Sequence, residues 1–419
     1  MSMKFYLSLH CSWRKLPLLL RGFALLSIIA VLAQGGVLWH LRRQSQIRHK
    51  FEMNASVEYG PSPISPVVEK QVDKLVPHGG MRLFSPMESA LLAQAVDDDL
   101  KSIAEFTRLK ELTISNGQLT EQGLSQIRDL NRLESLYVQN VSFTGDSLSG
   151  LPSCANLRRL KLIGPLMPEA LRPLADCMAL TELHLDAGYY EHNTERLTKR
   201  LSGYHLDAVA RIPNLKRMIV CSNELPDTEL RPLAAAGQLE ELFVDTVTLN
   251  GDALNSLGKL PRLKQLILEV SDAAAAALQR LSGFPELQTL ALRGGSIQPT
   301  HLTQLRNLNR LETLCLRGTD LKTSLEPIIQ LKNLKNLNLF LAQLPPDALP
   351  QLERLQHLQE LCLGINDAAT EATTDELRQK FPMMLNVESR LTIWNQGTDI
   401  PKWEAAPASR AIGGGGGFF

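Results

Sequence analysis

The chain has 419 residues, with 44 basic side chains against 44 acidic ones and 5% aromatics. Zero formal charge and few rings exclude the basic, base-stacking surface of a nucleic-acid binder, so no nucleic-acid partner is expected. Six cysteines in a chain of this length do not make a disulfide framework.

In chain order, residues 1–21 form a basic tail, and residues 22–39 (GFALLSIIAVLAQGGVLW) carry no charge. As a helix rising about 1.5 Å per residue, that segment covers about 27 Å, close to the hydrocarbon thickness of a bilayer. Arg14, Lys15 and Arg21 precede it, Arg42 and Arg43 follow it, and Trp39 suits the headgroup zone. A single-span transmembrane helix acting as signal-anchor is the expected reading. Cleavage after Val31-Leu32-Ala33 is the alternative, although the apolar run continues past that point. Basic residues tie on the two sides of the span. The body is placed on the extracytoplasmic side because short basic tails usually stay inside. Residues 40–85, with Pro61, Pro63, Pro66 and Pro77, read as a semi-extended linker. In residues 86–108, Leu91, Leu92, Ala95, Leu100, Ile103 and Phe106 recur at three- and four-residue steps, which predicts a helical N-terminal cap.

Residues 109–394 are built on one repeat. Strings of the form Leu-x-x-Leu-x-Leu begin at Leu109, Leu133, Leu157, Leu180, Leu215, Leu239, Leu263, Leu287, Leu311, Leu334 and Leu358. Their spacing is 23 or 24 residues, except for 35 between Leu180 and Leu215. A degenerate twelfth starts at Leu385. A second apolar set lies 14 or 15 residues into each unit and continues in steps of three, as in Leu254, Leu257 and Leu260. That spacing predicts a short helix or 3₁₀ turn, so each unit is a strand, a turn, a short helix and a turn. No unit can bury its apolar faces alone, and stacking buries them. The extra residues of the long unit fall at 188–202 and include Tyr189 and Tyr190. Residues 395–419 read as a flexible Gly-rich tail.

These strings resemble the leucine-rich-repeat family. The regular short unit is also similar to repeats of membrane-anchored bacterial proteins, planctomycete ones included. The resemblance implies an α/β solenoid, or horseshoe, with parallel strands on the concave face and short helices on the convex face. A protein-binding role rather than an enzyme, with no cofactor, is the expected reading. The Asn that usually follows the strand, eight residues after the first Leu, survives only as Asn223 and Asn366, so no continuous amide ladder is expected.

Side chains alternate across a strand, so positions four and six residues after each first Leu turn away from the buried leucines. The first of these columns contains Tyr137, Lys161, His184, Ile219, Phe243 and Ile267, whose last three members predict an apolar contact patch. The second includes Asp186, Asp245, Glu269, Arg293 and Arg317, an acid-to-base progression suited to setting the register of a protein partner. Tyr189 and Tyr190 offer contact area on the inserted loop. Cys154 and Cys177 share one phase in adjacent units, close enough for a disulfide in an oxidising compartment or for two buried thiols. His184, His192 and His205 lack the spacing of a zinc site, and Asp97, Asp98 and Asp99 read as helix-end charge, so no metal is expected. No phosphate loop, HExxH or nucleophile elbow occurs. The sequence therefore predicts a membrane-tethered recognition module, with a scaffold element of the cell envelope as the alternative.

Overall fold

The computed structural model describes residues 57–59, 87–120, 122–190, 196–198, 201–248, 252–270, 278, 281, 283–293, 297–339 and 342–363. The anchor segment, most of the linker, the degenerate twelfth unit and the C-terminal tail lie outside these residues. No helix among the described residues is long and apolar enough to cross a membrane.

The chain divides into two compact units, Met1–Ala90 and Leu91–Phe419. In the first, β1 (Val57–Tyr59) runs antiparallel to the start of β2 (Met87–Ala93), pairing Val57 with Ala90 and Tyr59 with Met87. A strand at Met87–Ala93 corrects the helical reading of the cap, whose helix is confined to Asp97–Ile103. Met87, Ala90 and Leu92 have the spacing of a repeat's Leu-x-x-Leu-x-Leu. Gln94, seven residues on, takes a φ of 55° and donates to Ser115 O at 2.7 Å, as the later coils do. The cap thus begins as a degenerate repeat, and ladder pairing outweighs the three- and four-residue spacing of its leucines.

The second unit stacks one strand per coil. These strands are β3 (Glu111–Ser115), β4 (Ser135–Gln139), β5 (Arg159–Ile163), β6 (Glu182–Asp186), β9 (Arg217–Pro226), β10 (Glu241–Thr248), β11 (Gln265–Val270), β12 (Thr289–Arg293), β13 (Thr313–Arg317), β14 (Asn336–Leu339) and β15 (Glu360–Leu363). Each is parallel to its neighbours, and β6 pairs directly with β9. The insertion forms a separate antiparallel hairpin of β7 (Gly188–Tyr190) and β8 (Arg196–Thr198). Among the described residues, the returning half of a coil is a short 3₁₀ or α segment, as at Leu124–Asp129, Gly203–Ala210 and Pro299–Asn307.

The core follows the leucine phase. Leu109, Leu112, Ile114, Leu242, Leu266 and Leu290 are buried, and so are Leu124, Leu230, Leu254 and Leu302 on the returning segments. Each fully buried Leu contributes about 1.5–3 kcal/mol, and the contribution is realised only when the next coil covers it.

Register is carried by a recurring backbone pattern. Lys110 O accepts from Glu134 N and Ser135 N; Glu240 O accepts from Lys264 N and Gln265 N; Lys335 O accepts from Gln359 N and Glu360 N. After the strand, several coils turn in the left-handed region: Asn116 (φ 53°), Asn140 (φ 55°), Gly164 (φ 144°) and Gly318 (φ 68°). Asn140 Nδ2 donates to Asn116 Oδ1 at 2.7 Å. An amide contact thus joins two coils one position earlier than the expected place. A longer polar series lies just before the strand. There Asn156, Asn214 and Asn333 donate to the carbonyls of Asn131 (2.6 Å), Met178 (2.8 Å) and Asn309 (2.6 Å) of the preceding coil.

At Gly164 the positive φ coincides with close approach, since a Cβ there would collide with Val141 O. Gly164→Ala is expected to destabilise the protein by about 1–3 kcal/mol. A urea titration followed by circular dichroism measures this, and an unchanged midpoint would show that the turn accepts a side chain.

Candidate functional site

Strand register assembles the expected column in full. Thr113, Tyr137, Lys161, His184, Ile219, Phe243, Ile267, Ala291, Cys315, Asn338 and Cys362 are successive partners on neighbouring strands. These side chains occupy the sheet face opposite the buried leucines, because they stand one position from them on each strand.

The column is more enclosed than its position suggests. Ile219 and Ile267 are only 9% and 3% exposed, Lys161 and His184 are both 7% exposed, and Phe243 is half-buried. Ile267, Ala291 and Cys315 form one buried cluster with Phe243 packed against it. Strands about 4.8 Å apart bring same-column side chains into contact with each other, so each covers its neighbours. The apolar strip therefore runs from Phe243 towards Cys315, further along the axis than Ile219, Phe243 and Ile267 alone. At its other end Lys161 Nζ lies 4.8 Å from the centre of the Tyr137 ring, a cation–π contact, and Tyr137 Oη donates to Gln139 Oε1 at 2.5 Å.

In the second column Asp186 faces Cys221, Cys221 faces Asp245, Glu269 faces Arg293, and Arg293 faces Arg317. The register shifts between Val244 and Val247, so this column is interrupted between Asp245 and Glu269. Asp186 is 9% exposed, whereas Arg293 and Arg317 are half-buried. Tyr189 and Tyr190 both lie in β7, paired with Leu197 and Arg196 of β8, so the hairpin keeps them together.

His184, Asp186 and Cys221 meet on this face. One ligand atom from each lies within 4.8 Å of the others, and Cys221 Sγ stands 3.6 Å from His184 Nε2. Cys221 stands six residues after Leu215, in the second column beside Asp186, so the group is legible in the sequence. His205 is elsewhere and occupied: its Nδ1 accepts from Ser202 N at 3.0 Å and its Nε2 lies 3.0 Å from Leu166 O. It fixes the start of the helix Gly203–Ala210. Asp97 accepts from Thr120 N at 3.0 Å and from Thr120 Oγ1 at 2.5 Å, tying the first helix to the next coil. A shallow groove of about 670 Å³ lies at the turn edge, against Glu312, Lys335 and His357 among others, and none of the expected binding residues lines it.

Cys154 and Cys177 are free, buried thiols that occupy equivalent positions after the returning 3₁₀ segments of adjacent coils. Cys154 Sγ lies 3.5 Å from Ile127 O and Cys177 Sγ 3.9 Å from Pro173 O. Burial pushes the Cys154 thiol up to about 11, helped by Asp129. It pushes Cys177 up to about 12, helped by the neighbouring Cys154 and by Asp176.

No protein-family model matches the chain, and no curated protein matches it. Among solved structures, an internalin from Listeria monocytogenes is 17% identical with a TM-score of 0.40, covering 78% of this chain and 92% of that one. A leucine-rich-repeat protein from Leptospira interrogans is 19% identical (TM-score 0.39), covering 68% of this chain and 79% of its own. A plant peptide hormone receptor is 18% identical (TM-score 0.38), with 66% and 44% covered. The class rests on the chain's own geometry. Coils of 23–24 residues, leucines buried at fixed phase and one parallel strand per coil define a leucine-rich-repeat fold.

A thiol whose pKa is raised by folding adds stability below its unfolded value and loses it as pH rises towards the folded one. Stability is therefore expected to fall between about pH 9 and about pH 11–12. Urea midpoints across that window should fall less steeply in Cys154→Ala/Cys177→Ala than in the wild type. Equal slopes would remove the two thiols as the cause.

Proposed function

We propose that the chain is a membrane-tethered recognition module that binds a protein partner across the concave sheet face. The observation that carries this reading is the unbroken in-register column on that face, from Tyr137 through Phe243 to Asn338. An ordered array of this kind presents many side chains at fixed spacing, which suits a partner surface rather than a small substrate. Half-buried Phe243 at the edge of the apolar cluster supplies an anchor. Arg293 and Arg317 at one end and the acidic positions Asp186, Asp245 and Glu269 towards the other give the partner a direction along the axis. The hairpin with Tyr189 and Tyr190 adds a flanking contact beside β6. The tether is assigned to residues 22–39 on their apolar sequence, with the repeats on the extracytoplasmic side.

Phe243→Glu and Arg317→Glu should each remove the same cross-linked partners from those captured by the wild-type chain in its native membranes, without changing its circular dichroism. A set of partners unchanged from the wild type in both variants would favour the envelope-scaffold alternative. For the tether, the full chain should remain in the membrane pellet after alkaline carbonate and enter solution with detergent. Release by carbonate alone would discard the anchor.

A further inference from the structure

We propose that His184, Asp186 and Cys221 form a binding site for one divalent ion of the zinc class. His184 and Asp186 stand two residues apart on β6, so they share a sheet face, and Cys221 of β9 is the direct register partner of Asp186. Three donors thus converge from two rigid, hydrogen-bonded strands rather than from loops, which fixes their geometry before any ion arrives. The donor set is an imidazole nitrogen, a carboxylate oxygen and a thiolate sulfur, the three ligand types of zinc sites. An ion about 2.3 Å from sulfur and about 2.0–2.1 Å from nitrogen in tetrahedral geometry holds those atoms about 3.6 Å apart. The distance between Cys221 Sγ and His184 Nε2 is 3.6 Å. All three ligand atoms lie within 4.8 Å of one another, a span one ion can bridge with small side-chain adjustment.

Burial and charge agree with a cation at this place. His184 and Asp186 are 7% and 9% exposed, and a carboxylate withdrawn from water is favoured by a nearby positive charge. Half-buried Cys221 leaves the site a route to solvent. Three protein ligands leave a fourth position for water. The ion would fasten β6 to β9, the one pair of adjacent coil strands whose chain is interrupted by the inserted hairpin.

The test uses the full chain, solubilised in detergent, stripped with a chelator under reducing conditions and titrated with Co²⁺ alone. One equivalent should bind with a thiolate-to-cobalt charge-transfer band, and added Zn²⁺ should bleach that band. Cys221→Ser should abolish the band, and Asp186→Asn and His184→Gln should weaken cobalt binding by at least about tenfold. Cys154→Ser should leave the band intact. All four replacements are close in size to the originals, and matching thermal midpoints without metal would confirm that they fold. Absence of the band, or a band that survives Cys221→Ser or disappears in Cys154→Ser, overturns the assignment. Because the readout needs no partner protein, failure here is separate from failure of the recognition reading.

Discussion

One constraint orders the molecule: no coil can cover its own leucines. A single unit of 23 or 24 residues offers one short strand and one or two helical turns, and both apolar sides face the positions of the adjacent units. The carbonyl just after each first leucine accepts two N–H groups from the next coil, so burial and backbone pairing are satisfied by the same neighbour. Slipping one coil by a residue would break both at once, because it would also turn Leu112 or Leu266 to the opposite face. This shared dependence explains why the extra residues between Leu180 and Leu215 fall after the leucine-bearing part of β6 and not within it.

Much of this was readable in the sequence. Leucine spacing alone located the strands from Leu109 to Leu358 and their order, and alternation placed the His184–Ile219–Phe243 column correctly. The cap was misread because Ala90 stands where a repeat leucine would be, leaving Leu91 and Leu92 to suggest helical steps. The hairpin in the insertion was also missed, since Gly188–Tyr190 and Arg196–Thr198 are too short to show a period of two. Enclosure of the column was not legible at all. It depends on contacts between side chains 23–35 residues apart, which only the register reveals.

The amide contacts illustrate how a fold requirement can move along the chain. Resemblance to leucine-rich repeats predicts an amide eight residues after the first leucine, where only Asn223 and Asn366 remain. In the structure, Asn116 and Asn140 bond one position earlier, in left-handed turns that asparagine tolerates better than most residues. Elsewhere Asn156, Asn214 and Asn333 take the same task to the other end of the strand. Each satisfies a turn carbonyl of the preceding coil, so the need for cross-coil polar contact is met at whichever corner has a suitable side chain. Exposed ion pairs such as Arg159–Glu111 (3.3 Å) and Lys264–Glu240 (2.7 Å) add about 0–1 kcal/mol each along the same edges.

The inserted hairpin has a consequence for the integrity of the chain. β7 and β8 pair only with each other in the sheet topology, and the parallel ladder passes directly from β6 to β9. Covalent continuity and structural continuity are therefore separate at this point. Cutting the backbone between β7 and β8 would leave every bond of the parallel ladder in place.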